Sequence, residues 1–323
     1  MAEGFAFACP ACRAPLERVS PELYRCPQDG AGYACIQGIW RFLPESRQAD
    51  LHQFLVEYEA VRSAEERGSP DPAYYHALPF ADLSGKRPAD WRIRSKSFRV
   101  FVERVLVPLE RLAGRPLKCL DLGAGNAWLS YRLAQRGHAV AAVDLFVNAW
   151  DGLGAQVHYP VSFHSIQAEF DRLPLCDAQV DLVVFNASFH YSVDYEVTLA
   201  EALRVLLPRG KVVILDTPLY HQESSGVQMV RERQAEFRQR YGFPSDALPS
   251  ENFLTAARLS ELEGALGLRW QTIRPFYGLR WALRPWLAFL RRRREPARFL
   301  VLIGQRRYPP AWSKRCSAVA RPS

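Results

Sequence analysis

The sequence contains no long apolar run and no amino-terminal targeting pattern. No stretch of its 323 residues reaches the roughly 18 consecutive apolar residues that a membrane-spanning helix needs. The opening stretch MAEGFAFACPACRAP has neither a cationic start nor a long apolar segment, so it predicts no signal peptide. Four of the seven cysteines lie between positions 9 and 35, and in a reducing compartment this clustering favours a metal over disulfides. We therefore expect a soluble, cytoplasmic protein.

A strong charge imbalance and an internal repeat are also missing. The net charge of +8 permits an anionic partner, such as nucleic acid or a lipid surface, but does not require one. Hydrophobic residues make up 48% of the chain, which is enough to bury a sizeable core. The length predicts two domains, or one large domain with additions.

Four regions differ in composition. Residues 1–44 are rich in cysteine and proline, and residues 45–114 favour helices that form a linker or a lid. Residues 115–306 alternate between strand-like and helix-like runs. Residues 307–323 have no periodicity, which predicts a flexible tail.

The alternation in the third region predicts an α/β fold with a doubly wound parallel sheet. Its strand candidates are almost continuously apolar, as strands buried on both faces are. Two later strands, LRWQTIRPFY and RFLVLIGQR, would complete a seven-stranded sheet. The first five candidates are LKCLDL (117–122), HAVAAVD (138–144), VSFHSIQA (161–168), VDLVVFNA (180–187) and KVVILDT (211–217).

The loop after the first of these strands has two glycines where many nucleotide-binding loops have three. Gly123 and Gly125 allow a tight turn and a close approach of ligand to backbone, and the next helix directs its first N–H groups there. Asp144 ends the second strand, where a carboxylate can accept both hydroxyls of a ribose. Trp128 stands where a dinucleotide site has its third small residue. The pattern therefore favours a ligand with a ribose but without a pyrophosphate.

The stretch LDLGAGNAWLSYRLAQRGHAVAAVD resembles the first two motifs of class I S-adenosylmethionine (SAM)-dependent methyltransferases of the small-molecule type. AEFDRLPLCDAQVDLVVFNASFHY and LRVLLPRGKVVILD are similar to the later motifs, so the resemblance covers about 115–217 well and extends weakly to 306. It implies a Rossmann-like sheet and SAM as cofactor. The cofactor-binding residues that it implies are Asp121, Gly123 and Gly125 at the methionine side, Asp144 at the ribose, Glu169 at the adenine amino group, Asn186 near the sulfonium, and Asn126, Leu145 and Ala168 beside them. The sequence departs from the family at Asn126-Ala127, where another glycine is frequent, and at Glu169, where aspartate is usual.

Methyl transfer is an in-line displacement, so alignment supplies much of the acceleration, and a base is needed only when the acceptor must lose a proton. His190 and Tyr191, after the fourth strand, are the catalytic candidates, although His190 could instead serve packing or capping. The stretch NASF lacks the D/N-P-P-aromatic motif of amino-methylating DNA enzymes, and no Pro-Cys pair follows the fourth strand, so DNA methylation is not expected. Candidates to contact the SAM carboxylate are Tyr75, Arg92 and Arg94, unless their stretch is simply a solvated basic helix.

The amino-terminal cysteines have the layout of a zinc ribbon, with CPAC at 9–12 and CPQDG at 26–30. Cys9, Cys12 and Cys26 would supply three thiolates. Asp29 stands where the fourth cysteine belongs, and the nearby Cys35 could replace it. A closed set of this kind predicts structural zinc, and the alternative is a ribbon that packs without metal.

The resemblance favours SAM-dependent methyl transfer to a small or lipid-like acceptor. Ribbon and methyltransferase together also resemble the bacterial rRNA guanine-N1 methyltransferases, so modification of RNA is one alternative, and a non-catalytic SAM-binding protein is another. Residues 1–44 have few uncompensated cations for holding RNA. Arginines concentrate instead in 278–299, beside large apolar residues. This pattern suits a segment that covers a hydrophobic acceptor or makes peripheral contact with anionic lipid. The alternative is a solvated connecting helix.

Overall fold

The computed structural model describes residues 4–307, so the predicted tail falls outside it from residue 308 onward. The chain begins with an antiparallel meander of four short strands, in which each strand pairs with the next. The strands are β1 (Glu17–Ser20), β2 (Leu23–Arg25), β3 (Gly32–Ile36) and β4 (Ile39–Arg41).

Helices follow the meander, in the region where the sequence predicts a helical linker or lid. The Asp71 side chain accepts a hydrogen bond from the Ala73 N–H and so caps the second helix. Gly114, in the left-handed conformation, ends the fourth. The helices are α1 (Glu45–Ala64), α2 (Pro72–Ala77), α3 (Pro88–Phe101) and α4 (Val107–Ala113), with a π-helical turn at Val102–Leu106 between the last two.

The remaining elements alternate, as the sequence predicts. They are β5 (Lys118–Leu122), α5 (Trp128–Gln135), β6 (Ala139–Asp144), β7 (His164–Gln167), β8 (Val180–Asn186), α6 (Tyr195–Val205), β9 (Leu206–Leu215), β10 (Leu219–Tyr220), α7 (Glu223–Tyr241), β11 (Leu254–Thr255), α8 (Ala256–Leu266), β12 (Leu268–Ile273), α9 (Leu279–Ala282), α10 (Arg284–Leu290) and β13 (Val301–Arg306). Short 3-10 helices occur at Leu153–His158 and Phe189–Tyr191.

Seven of these strands form the predicted doubly wound sheet, in the order β7-β6-β5-β8-β9-β13-β12. The pairs from β7 to β9 are parallel, whereas β13 runs antiparallel to both of its neighbours. The α/β fold class is therefore confirmed. The largest boundary difference is at β9, which begins at Leu206 rather than at residue 211, because the Pro-Arg-Gly stretch that resembled a turn forms an irregularity within the strand.

The amino-terminal meander extends this sheet to eleven strands. Strand β4 pairs in parallel with β7, with Trp40 opposite Ile166. Phe7 packs against Trp40 and Phe42, and Arg13 forms an ion pair with Glu201 of α6. The cysteine-rich region is thus packed against the central sheet, a contact that the sequence does not indicate.

Alternating side chains of the central strands build a core on each face of the sheet. Leu120 and Phe185 pack with residues of α6 and α8 on one face. Cys119 and Val184 pack with residues of α3, α4 and α5 on the other. This burial holds the strands in place. Because the strands from β7 to β9 are parallel, their carboxyl ends lie at the same edge of the sheet. Within residues 4–307, no helix is long and apolar enough to cross a membrane.

Candidate cofactor and acceptor cavity

The glycine loop after β5 is shaped by contacts that only glycine permits. Gly123 has φ +71°, and a side chain there would collide with Ser188. The Gly125 N–H donates to Asp144 Oδ2 at 2.7 Å, and the Phe146 N–H donates to Asp144 Oδ1 at 2.8 Å. These bonds join the ends of β5 and β6 and hold the Asp144 carboxylate in place.

Asp121 lies within this edge and supports the helix that follows the loop. The backbone N–H and the hydroxyl of Ser130 both donate to its Oδ2, at 3.1 and 2.8 Å. Its Oδ1 has no partner among the described residues. Burial, opposed by the Ser130 hydrogen bonds, raises the pKa of Asp121 to about 7, and burial also raises the pKa of Asp144.

A cavity of about 290 Å³ lies between the loop and the helices of residues 45–101. Six residues of the predicted site line it: Gly123, Gly125, Asn126, Asn186, His190 and Tyr191. Other lining residues, which the sequence did not single out as site residues, include Tyr58, Arg62, Trp91, Asp151 and Asp216. The cavity therefore lies between the glycine loop and the residues that follow β8 and β9.

Three buried polar atoms on lining residues have no hydrogen-bond partner in the described part of the chain. They are Asn186 Oδ1, His190 Nδ1 and Asp216 Oδ2. Buried polar atoms in folded proteins are almost always paired with protein or water. Their concentration around one cavity indicates a place for a polar ligand.

Trp128, the residue that departs from the dinucleotide pattern, packs edge to face against Trp91 and Phe98 of α3. This contact fixes α3 beside the loop. One turn further along α3, the Arg94 guanidinium lies 4.9 Å from the centre of the Trp91 ring. Arg94 also lines the cavity, where it has no hydrogen bond or ion pair with another described residue. A guanidinium without a hydrogen-bonded or ion-paired partner among the described residues therefore lies at the cavity.

The three candidates to contact the SAM carboxylate, Tyr75, Arg92 and Arg94, lie in different surroundings. Burial lowers the pKa of Arg94, and nearby Arg67 lowers it further while Asp216 opposes the change. Arg92 is exposed and lines a different groove. The Tyr75 hydroxyl is fully used, since it donates to the Trp150 carbonyl at 2.6 Å and accepts from the Ser69 N–H. Of the three, Arg94 alone lines the cavity.

Helix α1 covers the side of the site where the resemblance implies ribose and adenine. Arg47 binds both carboxylate oxygens of Glu169, at 3.0 and 2.6 Å. Phe54 and Tyr58 of the same helix pack against Tyr191, and Tyr58 also contacts Phe146. The predicted cofactor residues that do not line the cavity are Asp121, Asp144, Leu145, Ala168 and Glu169.

His190 and Tyr191 lie together at the cavity, with ring centres 4.5 Å apart. Burial lowers the pKa of His190 to about 3, and Arg233 and Arg94 add to this. The imidazole is therefore neutral at physiological pH, so it is able to accept a proton but has a weak affinity for it.

Sequence reasoning missed Asp216, which directly follows β9, whereas Asp144 is the last residue of β6. Ser97 Oγ donates to Asp216 Oδ1 at 2.5 Å and lies 3.0 Å from the Tyr277 hydroxyl. Burial raises the pKa of Asp216. An acid at the carboxyl end of a central strand was the available signal, because ligands bind at that edge of such sheets.

Near the amino terminus, four candidate metal ligands meet in one group: Cys9, Cys12, Cys26 and Asp29. Their ligand atoms all lie within 4.8 Å of one another, and a tetrahedral zinc site with Zn–S bonds of about 2.3 Å needs sulfurs about 3.8 Å apart. The Ala31 N–H, and then the Cys9 thiol, lower the pKa of Asp29 to about 2, so its carboxylate is charged. Cys35 lies outside this group, so Asp29 is the fourth candidate ligand.

Comparison with known proteins identifies the central fold. Residues 120–214 match the sequence model of the family described as "Methyltransferase domain". The sheet order and the glycine loop agree with this match to a methyltransferase domain, which covers less than a third of the chain.

Curated relatives match part of the chain. The malonyl-[acyl-carrier protein] O-methyltransferase of Geobacter sulfurreducens is 32% identical over 162 residues, which are 48% of this chain and 52% of that protein. An enzyme of the same name from Coxiella burnetii is 29% identical over 35% of this chain and 38% of its own length. An uncharacterized methyltransferase of Mycobacterium tuberculosis is 37% identical over 29% of this chain and 37% of its own. The chain thus spans about half or less of the length of these relatives.

Solved structures with a similar fold include the 1,6-didemethyltoxoflavin-N1-methyltransferase of Burkholderia thailandensis, which has bound 1,6-didemethyltoxoflavin and S-adenosylhomocysteine. It is 15% identical, with 90% of this chain and 98% of that chain covered and a TM-score of 0.46. A possible histamine N-methyltransferase of Thermotoga maritima is 14% identical, with 72% and 99% covered and a TM-score of 0.43.

Proposed function

We propose that this protein transfers a methyl group from SAM to a small or lipid-like acceptor bound in the central cavity. The main support is the adjacency of two features. The glycine loop, whose Gly125 N–H holds the Asp144 carboxylate, borders a cavity in which three buried polar atoms lack partners among the described residues. A cytoplasmic location, which the cysteine clustering predicts, remains part of this proposal.

In this proposal, the residues of the loop hold the cofactor. The Gly125 N–H orients Asp144, whose carboxylate retains lone pairs that can accept the ribose hydroxyls. Arg94 provides a cation for the methionine carboxylate on the other side of the loop. Bound SAM supplies an electrophilic methyl group.

Catalysis in this cavity depends mainly on alignment of the acceptor. Asn186, His190 and Asp216 offer free hydrogen-bonding atoms that orient it. When the acceptor atom carries a proton, His190 Nδ1 can take it, because the imidazole is neutral. A carboxylate acceptor is already ionised and needs no base. The loss of methyl-transfer rate in a His190 variant would therefore distinguish an acceptor atom that carries a proton from a carboxylate.

The names of the relatives add an acyl-carrier-linked carboxylate to the candidate acceptors. A carboxylate acceptor also agrees with the cationic side of the cavity, where Arg62 and Arg94 lie. Arg62 is neutralised by Asp151, whereas Arg94 is not neutralised by any described residue. Because Arg94 is assigned to the methionine carboxylate, an acceptor carboxylate would lie beside Arg62 and its partner Asp151.

We further propose that a structural zinc ion is held by Cys9, Cys12, Cys26 and Asp29. The donor set fits zinc, which prefers thiolates and accepts carboxylate. Burial raises the pKa of the Cys26 thiol to about 12, so a thiolate there needs a bound cation. A closed set of four ligands has no open position for chemistry, and the ion would stabilise the meander.

The test is radiolabelled SAM offered in parallel to malonyl-acyl carrier protein, to a lipid and metabolite extract, and to ribosomal RNA. We expect label in one of the first two fractions, and loss of that label in the Asp144→Ala variant. Label at a guanine of the RNA would contradict the proposal. Binding of SAM without label in any fraction would favour a non-catalytic SAM-binding protein instead.

A further inference from the structure

Residues 276–290 form an exposed apolar face between β12 and β13. Seven of the eighteen large apolar side chains that are exposed among residues 4–307 belong to this short stretch. Each is between 42% and 77% exposed: Phe276, Leu279, Leu283, Trp286, Leu287, Phe289 and Leu290. A contiguous apolar patch on a folded protein marks an interaction site.

The same stretch carries a concentrated positive charge. Residues 276–294 contain six arginines and no acidic residue. Arg294 pairs with Glu232 at 2.7 Å, and Arg284 lies 3.8 Å from the centre of the Trp281 ring. The other four, Arg280 and Arg291 to Arg293, form no ion pair with a described residue. Their charge is therefore available to an anionic partner.

The face is connected to the central cavity by aromatic side chains. Trp281 packs against Tyr277 and Phe299, with ring centres 5.1 and 5.8 Å apart. Phe299 also lines the central cavity, and the Tyr277 hydroxyl contacts Ser97, the partner of Asp216. A groove of about 920 Å³, lined by Tyr277, Trp281, Leu287 and the arginines, lies on the outer side. An amphiphile on this face would be close to the site of methyl transfer.

We propose that the 276–290 face binds an anionic lipid surface, with its apolar side chains inserted among the acyl chains and Arg291 to Arg293 against the phosphate groups. Short amphipathic segments with aromatic and aliphatic residues on one side and arginines on the other bind in this way. The inference concerns binding alone and stands independently of the methyl acceptor.

Charge and side-chain type favour an anionic lipid surface over RNA or a second copy of the chain as the partner of this face. RNA binds through arginines and stacked aromatic rings, which Phe276, Trp286 and Phe289 could supply. The other four apolar residues of the face offer no stacking surface and would stay exposed on RNA: Leu279, Leu283, Leu287 and Leu290. A second copy of the chain would bring two such arginine clusters together, and like charges at an interface repel. An anionic bilayer satisfies both the apolar side chains and the charge.

The test is flotation of the full chain with vesicles of phosphatidylcholine alone and of phosphatidylcholine mixed with phosphatidylglycerol. We expect binding to the mixed vesicles and a blue shift of tryptophan emission that Trp286→Phe changes. Replacing Arg291, Arg292 and Arg293 by Gln should weaken the binding about a hundredfold, since each cation near an anionic leaflet contributes about fivefold. The double variant Trp286→Ser and Phe289→Ser should lose most of the vesicle binding that comes from the apolar side chains.

Leu112→Ser is the matched control, because Leu112 is 76% exposed on α4, away from the face, and its loss should leave flotation unchanged. All variants should retain the SAM affinity of the parent, which shows that they fold. Equal flotation by the double variant and the parent would overturn the proposal. So would a lack of binding to the mixed vesicles, RNA binding that outlasts lipid binding as salt rises, or self-association that the double variant abolishes.

Discussion

Replacement of Arg94 by methionine should separate cofactor binding from stability. Arg94 lines the cavity without a hydrogen bond or ion pair to any described residue, and the buried carboxyl that its charge influences, Asp216, already accepts a hydrogen bond from Ser97. If it holds the SAM carboxylate, its loss removes at least one hydrogen bond from a charged donor. Such a bond contributes about 1.5–3 kcal/mol, which corresponds to a roughly 10- to 150-fold weaker binding of SAM.

The same substitution should leave the free protein as stable as before, or more stable. Burial lowers the pKa of Arg94, so the folded protein holds this charge at a cost. The contact with Trp91 that is lost offsets this by only about 0.5–1 kcal/mol. A residue that served only the fold would behave in the opposite way, because its loss would lower the melting temperature and leave SAM binding almost unchanged.

Calorimetric titration with SAM and thermal unfolding without ligand measure the two effects. Arg92→Met is the matched control, since Arg92 lies on the same helix but is exposed and lines the outer groove. It should bind SAM as the parent does. If Arg94→Met and Arg92→Met bind SAM equally well, or if Arg94→Met melts several degrees lower, the assignment of Arg94 to the carboxylate is refuted.

Three further predictions concern protons and metal. Because burial raises the pKa of Asp121 to about 7, its contribution to stability is complete below the unfolded value near 3.8 and is lost as pH rises through 7. Asp121→Asn should therefore stabilise the unliganded protein at pH 8 by up to about 4 kcal/mol, roughly three pKa units, and denaturant unfolding at pH 4 and pH 8 checks this. The low pKa of His190 predicts that His190 adds no titration step between pH 7 and pH 5, so the pH–rate profiles of the parent and of His190→Gln should have the same shape there, and a step near 6.5 that only the parent shows would contradict it. Elemental analysis should find one zinc ion per chain in the parent and in Cys35→Ser but not in Cys12→Ser, and metal-free parent protein with an intact meander would exclude the zinc site.

Much of the central sheet was predictable because its strands are buried on both faces. The apolar runs at β5, β6 and β8 are compatible with few structures other than buried strands. The positions of Gly123 and Asp144 at the ends of β5 and β6 could be predicted from those strands. The start of β9 was not predictable, because proline and glycine within a strand resemble a turn and tertiary pairing with β8 decided the outcome. The pairing of β4 with β7 joins residues 125 or more positions apart, and no local pattern indicates it.

The glycine loop and its contact with Asp144 lie where local motifs predict them, whereas the contacts between α3 and the end of β9 could not be predicted from the sequence. Asp216 could have been found from its position at the end of a central strand, but its hydrogen bond with Ser97 depends on how α3 packs against Trp128. The ion pair of Arg47 with Glu169 joins α1 to the segment after β7, so the sequence could show the acid but not its partner. The choice of Asp29 over Cys35 in the cysteine group likewise depended on how the meander folds.

The central claim is that the glycine loop and Asp144 bind SAM, and one calorimetric experiment tests it most directly. SAM, S-adenosylhomocysteine and NAD are titrated into the parent, into Asp144→Ala and into the control Glu261→Ala, which alters an exposed acid on α8. Loss of hydrogen bonds to a charged acceptor, each contributing about 1.5–3 kcal/mol, should weaken SAM binding at least about tenfold in Asp144→Ala. The account predicts SAM and S-adenosylhomocysteine binding in the parent and the control, and no NAD binding. Binding of NAD, or SAM binding that Asp144→Ala leaves unchanged, would contradict it.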